Sequence, residues 1–215
     1  CCATGSDDCE IRNKQENFTQ LRDFLTKPVV TEDALRLVEK LKFEDFNCSH
    51  DGLIEVTESF LCVGKVIGYS QPVRIYIPAK YTKKEKPKIN LFFHGHRTPN
   101  FDTFETGDYS KRLVESGSKD ILVIPESLGL GATYDNELWG ANGIKNLITQ
   151  IENKTDSKGA VYKVSGHSGG GRIVNQVLQS KVLDGRVEAV GLFDAIYKDM
   201  PAVRDYLKAS NKNTL

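Results

Sequence analysis

Residues Val161 to Val174 read VYKVSGHSGGGRIV, a β-branched run that climbs to a serine set among glycines. The core of the stretch, Gly166-His167-Ser168-Gly169-Gly170, fits G-x-S-x-G. The spacing has a chemical reason. A serine at the junction of a strand and a helix must take a strained backbone conformation, and side chains two positions away would collide with neighbouring elements. The helix that follows turns its free N–H groups and positive dipole end toward a developing oxyanion. Gly169 would donate one of those N–H groups to the tetrahedral oxygen. The five-residue pattern alone is a weak signal, and a glycine-rich turn or an anion-holding loop is the plain alternative. Flanked by VYKVS and RIVNQVL, it reads as strand–turn–helix, the context that a serine nucleophile requires.

A second group of residues fits the same chemistry. Leu91-Phe92-Phe93-His94-Gly95 closes an apolar run, and a backbone N–H near Gly95 or His96 could complete the oxyanion hole, with each donor worth about 2.7–4 kcal/mol. Metal ligation by His94 and His96 is a poor alternative, because two imidazoles without a third nearby ligand make a weak zinc site. A structural His94 that fixes its loop by a hydrogen bond competes with a direct role. The segment 127–143 carries the only tryptophan, Trp139, as a pocket wall or a packing anchor. Glu126, Asp135 and Glu137 would make the mouth acidic.

The elements that must position these groups are legible from Gly52 onward. Residues 53–69 and 73–79 alternate as an antiparallel pair. The runs 89–95, 120–127, 160–166 and 187–196 are short, β-branched and apolar on both faces, as buried parallel strands should be. Helix-like segments near 107–117, 141–152 and 170–182 lie between them, so the spacing predicts an α/β fold with a helix-flanked parallel sheet. Ligands bind beyond the carboxyl ends of such strands. His94-Gly95-His96, Glu126-Ser127, Ser168 and Asp194 all fall at those ends.

Upstream, residues 1–10 read as a flexible leader and 11–50 as a helical extension. Within the extension, Thr31 is an N-cap ahead of Leu35, Val38 and Leu41. Residues 51–215 then form the main domain. Lys+Arg and Asp+Glu number 29 each, so no excess of positive charge points to nucleic acid. No apolar run approaches the ~18 residues of a transmembrane segment. The chain starts at Cys1, which fits either a domain cut or a mature secreted or lipid-anchored protein. Five cysteines permit disulfides without requiring them. The expected location is extracytoplasmic: secreted, periplasmic or lipid-anchored.

The order antiparallel strands, strand-His94-Gly95, strand, strand-GHSGG-helix, strand-Asp194 resembles the α/β-hydrolase superfamily over about residues 53–208. The resemblance implies Ser168 as nucleophile, oxyanion donors near Gly95 or His96 and at Gly169, and no cofactor or metal. It also implies an acid and a histidine on later loops, and here the sequence departs from the pattern. No histidine follows His167, and the chain stops 21 residues after Asp194. Asp194 is either the acid or a strand-end aspartate held by turn hydrogen bonds. His50, His94, His96 and His167 are each badly placed for a base. The expectation is therefore a C-terminally incomplete hydrolase acting on a small-molecule or acylated substrate. A missing C-terminal segment or a second chain would supply its histidine. The alternative is a catalytically silent, hydrolase-like binding module.

Overall fold

The computed structural model describes residues 30–50, 60–83, 86–95, 116–127, 134, 138, 141–196 and 199–211. Among them the strands are β1 (Asn47–His50), β2 (Phe60–Val66), β3 (Tyr69–Ile77), β4 (Lys88–Phe93), β5 (Ile121–Pro125), β6 (Val161–His167) and β7 (Val187–Phe193). The helices are α1 (Glu32–Phe43), α2 (Ala141–Lys154), α3 (Gly171–Ser180) and α4 (Pro201–Asn211). The strands form one sheet in the order β1-β2-β3-β5-β4-β6-β7. β1, β2, β3 and β5 pair antiparallel in succession, whereas β5, β4, β6 and β7 form a parallel block.

Side-chain alternation divides the sheet into two faces. Ile75 and Ile77 of β3, Leu91 and Phe93 of β4, and Val164 of β6 join one large buried cluster. The described helices share it through Leu37 and Leu41 of α1, Ile144 and Ile148 of α2, Ile173 and Val177 of α3, and Val203 of α4. The opposite face carries a smaller cluster of Tyr76, Phe92, Leu122 and Ile124. This two-fold period is what a sheet packed on both faces requires.

Local chemistry explains the boundaries of α1. Thr31 is extended and its hydroxyl accepts from the N–H of Ala34 at 3.2 Å, while Glu32 and Asp33 occupy the positive first turn. Residues 47–50 fall within the stretch that the sequence placed in a helical extension. They instead form β1, an edge strand of the sheet itself, and Cys48 is bonded to Cys62 directly opposite on β2. Proline opens α4, a helix that the sequence reading did not identify; proline at the first helical position gives up no hydrogen bond. The leader, the first half of the helical extension and nearly all of the segment at 107–117 lie outside the described residues.

Candidate active site

The end of β6 turns sharply. His167 is still extended, with φ −105° and ψ 137°, but Ser168 has φ +49°. Left-handed backbone of this kind costs a non-glycine residue roughly 1–2 kcal/mol. A single 3-10 turn, Ser168–Gly170, then leads into α3. Gly166 before the turn and Gly170 at its end leave no room for a side chain. A Cβ at Gly170 would stand 2.2 Å from the carbonyl oxygen of Phe93, and one at Gly166 would stand 2.7 Å from the carbonyl carbon of Gly170. The first turn of α3 carries no acidic side chain, so nothing there competes for its positive end.

The loop after β4 is pressed against this turn. A Cβ at Gly95 would lie 2.8 Å from both the Cβ of Ser168 and Nδ1 of His167. The backbone at residue 95 is therefore in contact distance of the serine, and Gly169 follows Ser168 at the start of the helical turn.

His94 is buried and holds the loop rather than facing outward. Its Nε2 accepts the backbone N–H of Ser127 at 3.0 Å, which leaves Nδ1 to carry the proton, 2.9 Å from the carbonyl oxygen of Gly95. The Tyr134 hydroxyl donates to the His94 carbonyl at 3.3 Å, and the two rings stand 5.3 Å apart. Burial lowers the His94 pKa and raises that of Tyr134 well above the usual phenol range. Both ring nitrogens of His94 are thus engaged, one as donor and one as acceptor.

Behind this pair, the carboxylate of Glu126 accepts from Nε of the buried Arg74 at 2.9 Å, and the Tyr69 hydroxyl donates to the Glu126 carbonyl. Glu126 is half-buried and its charge is balanced by the guanidinium, so it adds little to an acidic mouth. Asp135, Glu137, His96 and Trp139 lie outside the described residues. His50 lies in β1, at the antiparallel edge farthest from β7 in the sheet order.

Asp194 follows β7 as Ser168 follows β6. The last register pair of the two strands is His167 with Phe193, so the serine and the aspartate occupy the same level on strands about 4.8 Å apart. Asp194 shares the left-handed conformation, with φ +45°, and its side chain is exposed. Ala195 then packs on Gly171 at the start of α3, where an added Cβ would come within 2.7 Å of the alanine methyl. The glycines at 166, 170 and 171 therefore lock the ends of β4, β6 and β7 together. Among the described residues, no cluster of three or more His, Cys, Asp or Glu could hold a metal ion, and no helix is long and apolar enough to cross a membrane.

No protein-family model and no curated protein sequence matches the chain. Solved structures do. An acetyl xylan esterase from Aspergillus awamori is 19% identical with a TM-score of 0.44, over 59% of this chain and 48% of that one. The naproxen esterase (carboxylesterase NP) from Bacillus subtilis is 13% identical with a TM-score of 0.41, over 87% of this chain and 59% of that one. A feruloyl esterase module from Clostridium thermocellum is 18% identical with a TM-score of 0.48, over 74% of this chain and 62% of that one. The chain spans from about half to under two thirds of the length of each. By its own sheet order and its strand–turn–helix at Ser168 the chain has the mostly parallel, helix-flanked α/β architecture that the sequence predicts, with an antiparallel N-terminal part.

Proposed function

We propose that this chain carries the nucleophile of a serine hydrolase that cleaves an ester or amide bond through an acyl-enzyme. The observation that carries the reading is the left-handed Ser168 at the end of a parallel strand, with the Gly95 backbone against its Cβ and a helix N-terminus beneath it. In this reading the Ser168 hydroxyl attacks the substrate carbonyl carbon as a base takes its proton. The oxygen that becomes negative is held by the N–H of Gly169 and by the backbone at Gly95 or His96. Collapse of the tetrahedral species expels the alcohol or amine, which receives the proton from the base. Water, activated by the same base, then releases the acid and restores the serine.

In this reading the proton goes to an imidazole other than that of His94. Both ring nitrogens of His94 are already engaged, which supports looking elsewhere. Asp194, level with Ser168 on the neighbouring strand, is the candidate for the acid that orients the imidazole. Removing one triad member leaves only ~10³–10⁴ over water, so any polypeptide without that imidazole turns over slowly. The disulfide between Cys48 and Cys62 supports an extracytoplasmic location, since such bonds persist in oxidising compartments.

A catalytically silent binding module is the second reading, favoured by the engaged state of His94. Hydrolysis of 4-nitrophenyl acetate by the longest natural polypeptide containing this chain separates the two. Turnover that Ser168→Ala abolishes supports the hydrolase. Equal rates for the two proteins, or no turnover above buffer, favour the binding module.

A further inference from the structure

β4 ends at Phe93, which stands opposite Gly166 in its last register pair with β6. The His94 carbonyl lies just past that ladder and in a crowded place, since a Cβ at Gly170 would stand 2.8 Å from its oxygen. A buried carbonyl there needs a partner from another element. Tyr134 supplies one, donating its hydroxyl at 3.3 Å. The Tyr134 ring is fully buried and meets Phe93 edge to face, with centroids 5.3 Å apart. Phenylalanine would fill that apolar space equally well. A hydroxyl is costly to bury, so its presence here calls for the contact that it makes. Burial also keeps the phenol protonated and therefore a donor.

This contact controls more than one carbonyl. A trans peptide is planar and rigid, and its carbonyl and the following N–H point in opposite directions. The His94 carbonyl and the Gly95 N–H therefore turn together, and the Tyr134 hydroxyl fixes both. The next plane is held in the same manner, because the Gly95 carbonyl accepts from Nδ1 of the His94 ring at 2.9 Å. Each plane is anchored at its carbonyl end by a buried side chain, which leaves its N–H end pointing away from the anchor. Such anchors matter at glycine, where the backbone is otherwise free to rotate. A side chain at residue 95 could not stiffen the loop instead, since its Cβ would come within 2.8 Å of both the His167 ring and the Ser168 Cβ.

We infer that Tyr134 is a positioning residue for the reaction at Ser168: through the His94 carbonyl, its hydroxyl sets the direction in which the Gly95 N–H meets the substrate oxygen. The inference rests on the hydrolase reading and adds to it a buried group that acts through backbone rather than on the substrate.

Kinetics of Tyr134→Phe in the longest natural polypeptide, with 4-nitrophenyl acetate as substrate, test this. Phenylalanine keeps the ring and its packing on Phe93 and removes only the hydroxyl. Outright removal of an oxyanion donor costs about 10²–10³ in kcat. A donor that is present but free to turn should cost less, about 10- to 100-fold in kcat, with KM changed less than about 2-fold. The inhibition constant of a trifluoromethyl ketone, whose tetrahedral adduct carries the oxyanion, should rise by the factor by which kcat/KM falls. Leu138→Val is the packing control, because Leu138 is buried in the same core cluster as Tyr134. It should lower the urea midpoint to an extent comparable with Tyr134→Phe and leave kcat within about 2-fold of the parent. Equal kcat for Tyr134→Phe and the parent overturns the inference and leaves Ser168 as nucleophile. An equal loss of kcat in Tyr134→Phe and Leu138→Val also overturns it, because Tyr134 would then serve packing alone. A parent without turnover, or with turnover that Ser168→Ala retains, removes the hydrolase reading itself and this inference with it.

Discussion

The backbone of Gly95 and the side chain of Ser168 are in van der Waals contact: a methyl group at residue 95 would sit 2.8 Å from the serine Cβ. Two strands, β4 and β6, meet at this point, and the contact fixes how far any carbonyl held by the loop after β4 can lie from the serine oxygen.

Gly95→Ala is expected to force apart the two strand ends. Overpacking of this kind costs about 1–3 kcal/mol. Gly170→Ala should cost more, because its Cβ would meet the Phe93 carbonyl oxygen at 2.2 Å and only backbone can yield. Urea midpoints of the two variants, with Gly117→Ala as a surface control, give the order. Gly117 has φ +67° but nothing near its Cβ, so its cost is conformational alone.

Ser168→Gly should stabilise the protein by roughly 1 kcal/mol, since glycine enters the left-handed region without penalty. Ser168→Ala keeps the strain and should leave the denaturation midpoint close to that of the parent. Both variants lose any serine chemistry. A glycine variant no more stable than the alanine variant would mean that the turn at residue 168 stores no strain.

His94 makes stability depend on pH in a defined direction. Its pKa is lowered in the folded protein by burial, so the unfolded chain binds the proton more readily. Stability is then fully present above the unfolded value of about 6.5 and is lost as pH falls below it toward the folded value. Protonation would also remove the acceptor of the Ser127 N–H. His94→Gln should flatten the difference between urea midpoints at pH 7.5 and pH 5. It should also cost about 1–3 kcal/mol at neutral pH if that buried N–H goes unpaired. A parent and a variant with the same pH slope would contradict this role.

The disulfide between Cys48 and Cys62 closes a loop with a sequence separation of 14. Loops of about this length contribute about 3 kcal/mol through the unfolded state. Replacing both cysteines by alanine should lower stability by that order, measured in urea without reductant. The parent in dithiothreitol should behave like the double variant.

Most of this geometry was legible where one residue type can do one thing. The apolar runs gave the parallel strands, and β5 is buried throughout as a strand covered on both faces should be, whereas β7, expected to be buried as well, has no buried residue; Thr31 gave a helix start because its hydroxyl caps an orphan N–H. β1 was not legible: NCSH is polar, and its strand state comes from pairing with β2 and from the bond between Cys48 and Cys62. The signal for α4 was present in Pro201 with Val203, Tyr206 and Leu207 at helical spacing, but the run is short and mostly polar. The tautomer of His94 was beyond sequence reasoning, since it depends on an N–H from residue 127. The close fit of Gly95 on Ser168 is likewise a tertiary contact that only the sheet order creates.

The most direct test is mass spectrometry of the longest natural polypeptide after treatment with a fluorophosphonate, mapped to a single peptide. The expected result is one adduct on Ser168, absent from Ser168→Ala. An adduct on another residue, or no adduct on a protein that hydrolyses 4-nitrophenyl acetate, would contradict the assignment of Ser168 as the nucleophile.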